Sequence, residues 1–205
     1  MTKTISEPQN ARSRRSRAAL LDATRELISE GGFDALTMAA VAERAGVSRR
    51  SVYLHFATRA ELVTALFSRL GETEEIGASL QRVWDSPDAV TALAEWGRHL
   101  ARIHPQILPV MQAAERARRV DAEAADLWQT AQDRWLLGAR RLAAWLAQEG
   151  RLARPWTATT AADMIWALMS PDLLDRLLRG RGWSPRRIGD HLAALLTATF
   201  ANHQE

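Results

Sequence analysis

The stretch FDALTMAAVAERAGVSRRSVYLHFATR, Phe33 to Arg59, decides the fold. Thr37 is a good N-cap, and the spacing of Met38, Val41, Ala42 and Ala45 predicts a short helix with one apolar face. Gly46 supplies a sharp turn, with Val47 as a buried plug beneath it. Ser48 caps a second helix over about Arg49–Phe56, in which Val52 and Phe56 are four apart and face inward. Arg49, Arg50, Ser51, Tyr53, Leu54 and His55 are left on its outer or N-terminal surface. A helix spent on core packing would not open with two arginines and a serine. The pattern is a helix-turn-helix, whose second helix sets its N-terminus in the DNA major groove.

Upstream, Leu20, Leu21, Thr24, Leu27 and Ile28 form a stripe that predicts a helix over about Arg14–Glu30, stopped by Gly31–Gly32. Residues 1–13 lack periodicity and read as a flexible basic arm. Arg12, Arg14, Arg15 and Arg17 crowd the junction. They read equally as a phosphate-binding group or as a solvated helix start. Downstream, Thr58 and Glu61 form a T-x-x-E capping box opening a helix over about Arg59–Leu70, and Gly71–Ile76 reads as an acidic break.

The remainder reads as helix throughout. Ser86–Pro87–Asp88 starts a helix that runs to about His104, where Pro105 intervenes. Further helices cover about Ile107–Arg119, Asp121–Glu149, Thr157–Met169 and Pro171–Arg179. A last one, about Pro185–His203, opens on a Ser184 cap with proline at the first helical position. The expectation is an all-α fold of about nine helices. Residues 1–13 would be the arm, 14–58 a three-helix DNA-binding domain, and 59–205 a larger domain for ligand binding and dimerisation.

Charge supports that division. Residues 1–70 hold 11 Lys/Arg against 7 Asp/Glu; the rest holds 16 against 17. The basic excess sits with the helix-turn-helix, so a polyanion should be met there. The chain has no cysteine, which excludes disulfides and thiolate metal sites and suits a reducing cytoplasm. No run of about 18 apolar residues occurs, so no membrane partner is expected, and the Arg/Ser-rich start is not a secretory leader. No Ser/His/Asp set, phosphate-binding glycine loop or HExxH is present. No catalytic site, metal or cofactor is expected, and the chain does not read as an enzyme.

Phe33, Thr37, Val41, Ala42, Ala45–Gly46–Val47–Ser48, Val52–Tyr53, His55–Phe56 and Glu61–Leu62 together resemble the tetracycline-repressor (TetR) family of bacterial transcription regulators. The family run is roughly A-G-V-S-x-G-T-L-Y-x-H-F-x-x-K-x-x-L; here it is AGVSRRSVYLHFATRAEL. The likeness covers about a quarter of the chain. EGRL at Glu149–Leu152 and GWSPRR at Gly182–Arg187 are compatible with it. It implies an all-α homodimer whose first three helices bind operator DNA and whose larger domain holds a small-molecule pocket. Carried over by position, Ser48 caps the reading helix, Ser51 and Tyr53 touch phosphate or base edges, and His55 donates to phosphate. Thr37 reaches phosphate from the preceding helix. Arg59 stands at the family's usual lysine, with a phosphate contact. Tyr53 has a second reading, as packing between the third and first helices. Arg50 replaces a small residue, usually glycine, and Arg49 or Arg50 is expected to make a bidentate contact to guanine O6/N7.

Eight tryptophans against one tyrosine mark the larger domain. Each can be plain core. Trp96, Met111, Trp128, Trp135, Trp166 and Met169 are the candidates for an aromatic-lined pocket, with His99 as a polar contact, and its effector would be apolar or aromatic. Leu173, Leu177, Leu192, Leu195, Leu196 and Phe200 exceed what a lone helix pair can bury and are candidates for the dimer interface. The reading is a ligand-responsive repressor that binds a palindromic operator as a homodimer, effector binding moving the fourth helix and respacing the two reading heads. The alternative is a constitutive or architectural DNA-binding protein with a filled core.

Overall fold

The computed structural model describes residues 11–71 and 73–202; residues 1–10 of the expected arm lie outside them. Ten α-helices are present among the described residues. The β pairing of these residues is limited to an isolated antiparallel bridge between Leu152 and Ala201. The helices are α1 Ala11–Gly31, α2 Met38–Arg44, α3 Arg49–His55, α4 Arg59–Gly71, α5 Glu74–Trp84, α6 Ala89–Ala117, α7 Ala122–Gln148, α8 Ala158–Ala167, α9 Pro171–Asp175 and α10 Pro185–Phe200. A 3-10 turn, Phe33–Ala35, follows α1, and a π-helical turn, Arg176–Gly180, continues α9. No helix of the described residues is long and apolar enough to cross a membrane.

The chain forms two compact units. One joins the described residues up to Arg69 with Ala113–Leu127; the other joins Leu70–Gln112 with the described residues from Trp128 onward. The first unit's core is Leu20, Leu21, Leu27 and Ile28 of α1, Phe33 and Leu36, Val41 and Ala42 of α2, Val52 and Phe56, and Leu62, Val63 and Leu66 of α4. The helix-turn-helix unit therefore runs past residue 58, because α4 supplies part of its core.

In the second unit α6 and α10 approach backbone to backbone. A Cβ on Gly97 would stand 2.7 Å from the Ala193 nitrogen. On α7, a Cβ on Gly138 would stand 2.5 Å from Trp96 Cη2, so the missing side chain makes room for the indole. Glu149, from the EGRL segment, ties two helices: one carboxylate oxygen accepts from the Ala89 N–H at the start of α6 (3.0 Å) and the other from Trp145 Nε1 (2.6 Å).

Three expectations are corrected. Pro105 does not end a helix: α6 runs through both Pro105 and Pro109. Each proline removes a ladder bond at about 3 kcal/mol. Burial of Leu100, Ile103, Ile107, Leu108, Val110 and Met111, at about 1.5–3 kcal/mol each, outweighs that. The acidic segment 71–76 is not simply a break, since α5 starts inside it at Glu74, where Thr73 Oγ1 accepts from the Ile76 N–H. Finally, Leu192, Leu196 and Phe200 are buried within the chain itself, so they are not free to meet a partner. They lie at i, i+4 and i+8 on the face of α10 that also carries the buried Ile188 and Gly189.

Candidate nucleic-acid interface

The turn between α2 and α3 is built by hydrogen bonds the sequence invites. Gly46 has φ +65°, a left-handed conformation that costs glycine little. The Gly46 N–H donates to the Glu43 carbonyl (3.1 Å) and the Val47 N–H to that of Ala42 (3.0 Å), closing α2 with a Schellman motif. Val47 itself is half-buried rather than fully enclosed. Thr37 Oγ1 accepts from the Ala40 N–H (3.0 Å) and Ser48 Oγ from the Ser51 N–H (3.2 Å). Both hydroxyls accept here, which leaves their own protons for an outside acceptor. The α4 box closes one residue early: Thr58 Oγ1 accepts from the Glu61 N–H (3.1 Å), while the Glu61 carboxylate takes the Ala57 N–H (2.7 Å).

Seven residues of α3 could not hold a helix alone. Burial of Val52 and Phe56 pins it, at about 1.5–3 kcal/mol each. That anchoring fixes what faces outward. Arg49 and Arg50 are exposed, Ser51 and His55 are half-buried, Tyr53 is 55% exposed and Leu54 is 77% exposed. Tyr53 therefore stands on the outer face and does not pack between helices.

The arginines of this unit divide into two sets. Arg44 pairs with Glu26 (3.2 Å) and Glu30 (2.8 Å), clamping α2 to α1. Arg69 pairs with Asp22 (2.7 Å) and donates to the Ala18 carbonyl (2.8 Å). Arg59 pairs with Asp121 (2.6 Å) and Glu123. By contrast Arg14, Arg15, Arg49 and Arg50 are exposed and make no ion pair among the described residues. Arg17 lies over the Phe56 ring, 5.2 Å from its centroid. Arg14 is one turn away on the same face of α1. Burial, then the charge of Arg17, pushes the His55 pKa down, so its imidazole meets neutral pH uncharged with one N–H to donate. The surface carries free guanidinium forks, hydroxyl protons and an imidazole N–H, which suit base edges and phosphate oxygens. Sequence spacing could not identify Asp121 and Glu123, since they lie 62 and 64 residues from Arg59.

In the other unit the expected pocket residues are only partly brought together. Trp96 and Met169 are buried in one core cluster, with Trp135 and Trp166 packed against it. Met111 is fully buried outside that cluster, and Trp128 is half-buried. His99 stacks on Trp96 (centroids 5.5 Å apart), which stacks on Trp84 (5.8 Å). Its Nδ1 is 2.8 Å from Ser79 Oγ, which accepts from Arg102 Nε (2.9 Å). An open cleft of about 580 Å³ is lined by Ala78, Gln81, Arg82, Asp85, Ser86, Pro87, Thr91 and Glu95, and by none of the expected pocket residues. Of the expected dimer residues, Leu173 and Leu177 are half-buried and Leu195 is 47% exposed. Among the described residues no group of three or more His, Cys, Asp or Glu is placed to hold a metal.

The all-helical chain, with its N-terminal helix-turn-helix and a larger helical unit beyond, has the architecture of a bacterial helix-turn-helix regulator. Residues 20–66 match the family described as bacterial regulatory proteins, tetR family. Over that segment, the helix-turn-helix with most of α4, the chain is similar to the TetR family. It is 33% identical over 93 residues to the HTH-type transcriptional regulator TtgR of Pseudomonas putida, a stretch covering 45% of this chain and 43% of that protein. It is 38% identical over 77 residues to the HTH-type transcriptional repressor KstR of Mycolicibacterium smegmatis, covering 38% and 37%. The matched stretches thus span less than half of either relative. The fold is similar to that of NalD, the secondary repressor of the MexAB-OprM multidrug efflux pump in Pseudomonas aeruginosa. The TM-score is 0.72 at 20% identity, over 95% of this chain and all of that one. The family and these relatives are transcriptional regulators, not enzymes.

Proposed function

We propose that this chain is a cytoplasmic DNA-binding regulator that represses transcription as a homodimer on a palindromic operator and answers to a small-molecule effector. The observation that carries the reading is the contrast among the arginines. Arg44, Arg59 and Arg69 are neutralised by acids of their own unit, while Arg49 and Arg50 at the start of α3 pair with no acid among the described residues. Tyr53, Leu54 and His55 continue that face, Arg14 and Arg15 extend it from α1, and the Thr37, Ser48 and Ser51 hydroxyls border it. Two half-sites would be separated by whole turns of duplex. Selection of fragments from a random duplex pool by the purified protein tests the reading. Arg49→Ala or Arg50→Ala is expected to cost about 1–3 kcal/mol and relax preference at one base pair. Equal weakening on every sequence by both variants would show phosphate contacts only.

A second reading, a regulator without an effector, is favoured by the second unit's core. The indole of Trp96 fills the space over Gly138, and none of the expected pocket residues lines the open cleft. Release of bound DNA by a library of apolar and aromatic compounds, followed by tryptophan fluorescence, separates the two. No release across the library supports the filled core.

A further inference from the structure

Arg59 is the first residue of α4, close in sequence to the reading helix, and its guanidinium is turned into its own unit. Nη2 is 2.6 Å from Asp121 Oδ2, Nε donates to the Glu123 carboxylate, and Nη1 reaches the Phe33 carbonyl at 3.4 Å. The side chain is 29% exposed. Asp121 also caps α7, where its Oδ1 accepts from the Ala124 N–H (3.0 Å). Burial works against charge at both Arg59 and Asp121. Their hydrogen bonds outweigh it, raising the arginine pKa and lowering that of the aspartate. The clasp sets one guanidinium against two carboxylates. Where the resemblance puts a phosphate-binding cation, this chain carries a net negative cluster with the guanidinium fork already in use.

We propose that Asp121 and Glu123 compete with the DNA backbone for Arg59, so that this clasp holds affinity below what the exposed face of α3 would otherwise deliver. The proposal rests on the DNA-binding reading above. A phosphate gains Arg59 only by breaking two charge-assisted bonds, and it approaches against two carboxylates. With the acids neutralised, Arg59 adds one phosphate contact. Asp121 and Glu123 are thus positioning residues, acting on DNA through Arg59.

The test uses the full chain and a fluorescein-labelled 30-bp duplex, selected by the wild-type protein from a random pool. Asp121→Asn keeps an N-cap, so the Asp121→Asn/Glu123→Gln variant retains the start of α7. It is expected to bind about tenfold tighter, the scale of one charge-assisted hydrogen bond. The slope of log K against log salt is expected to steepen by about 0.9, one more phosphate contact. Glu123→Gln alone, which leaves the cap untouched, should move both readouts the same way by less. Adding Arg59→Gln to the double variant should abolish the gain. Unchanged or weaker binding by both carboxamide variants overturns the clasp, as does a gain that survives Arg59→Gln. A wild-type protein that selects no duplex overturns the DNA-binding reading itself, and the clasp with it.

Discussion

Gly97→Ala tests the packing of α6 on α10, because two effects of known size oppose each other there. Within a helix, alanine gains about 1 kcal/mol over glycine. At Gly97 the new methyl would stand 2.7 Å from the Ala193 nitrogen, 3.0 Å from the Leu192 carbonyl carbon and 3.1 Å from Ala193 Cα. These are backbone atoms, which no rotamer change can move. Ordinary contact needs about 3.5–4.0 Å, so α10 must withdraw by roughly 1 Å, and a gap of that size forfeits a quarter to a half of the dispersion across it. Leu196 and Phe200 sit on the retreating helix, and their burial is worth about 1.5–3 kcal/mol each. Overpacking of this kind costs about 1–3 kcal/mol. Set against the propensity gain, a net loss of about 1 kcal/mol remains, or about 2–4 °C in Tm for a chain of this size. Gly77→Ala is the control. Gly77 is an exposed residue of α5, and a methyl added there would meet nothing within 4 Å, so only the propensity gain operates and Tm should rise by about 2–4 °C. Differential scanning fluorimetry of both variants suffices. If Gly97→Ala also raises Tm, the close approach of α6 and α10 is refuted.

Further outcomes follow from the same contacts. Ser48→Ala removes the cap of a seven-residue helix and should cost about 1 kcal/mol in urea unfolding while weakening DNA binding; Ser48→Asp should restore stability but not binding, because it adds a negative charge. Burial lowers the pKa of His99 and of His104 to about 4, against an ordinary 6.5. The unfolded chain therefore takes up protons that the folded chain refuses between these values. Stability should be full above pH 6.5 and fall as pH drops toward 4, by up to about 3 kcal/mol per histidine. Urea titrations at pH 7 and pH 5 would show it, and His99→Gln should flatten the difference. Leu195 is exposed on α10, and Met164 on α8. Leu195→Glu should leave Tm unchanged and shift the protein toward monomer by light scattering; an unaltered dimer would exclude this face of α10 as the pairing surface.

Local pattern alone was enough for the reading unit. Thr37, Ser48 and Thr58 each cap the helix expected of them, Gly46 takes the left-handed turn, and Val52 and Phe56 face inward, because each of these features is decided within four residues of chain. The all-α class was equally legible from apolar periodicity. Long-range competition was not legible. Whether Pro105 ends a helix depends on how much of α6 is buried around it. Whether Leu192, Leu196 and Phe200 meet a partner depends on which face of α10 packs inside the chain. Whether Tyr53 packs or projects depends on where α1 lies. The arginines show the division most clearly. A basic excess in the first seventy residues is plain from composition, which does not distinguish one guanidinium from another. Folding brings Glu26, Glu30, Asp22, Asp121 and Glu123 to Arg44, Arg69 and Arg59 and, among the described residues, gives Arg49 and Arg50 no ion pair. Sequence spacing determines which charges a helix carries; only tertiary structure, by bringing distant carboxylates within hydrogen-bond reach, decides which of them remain for a partner.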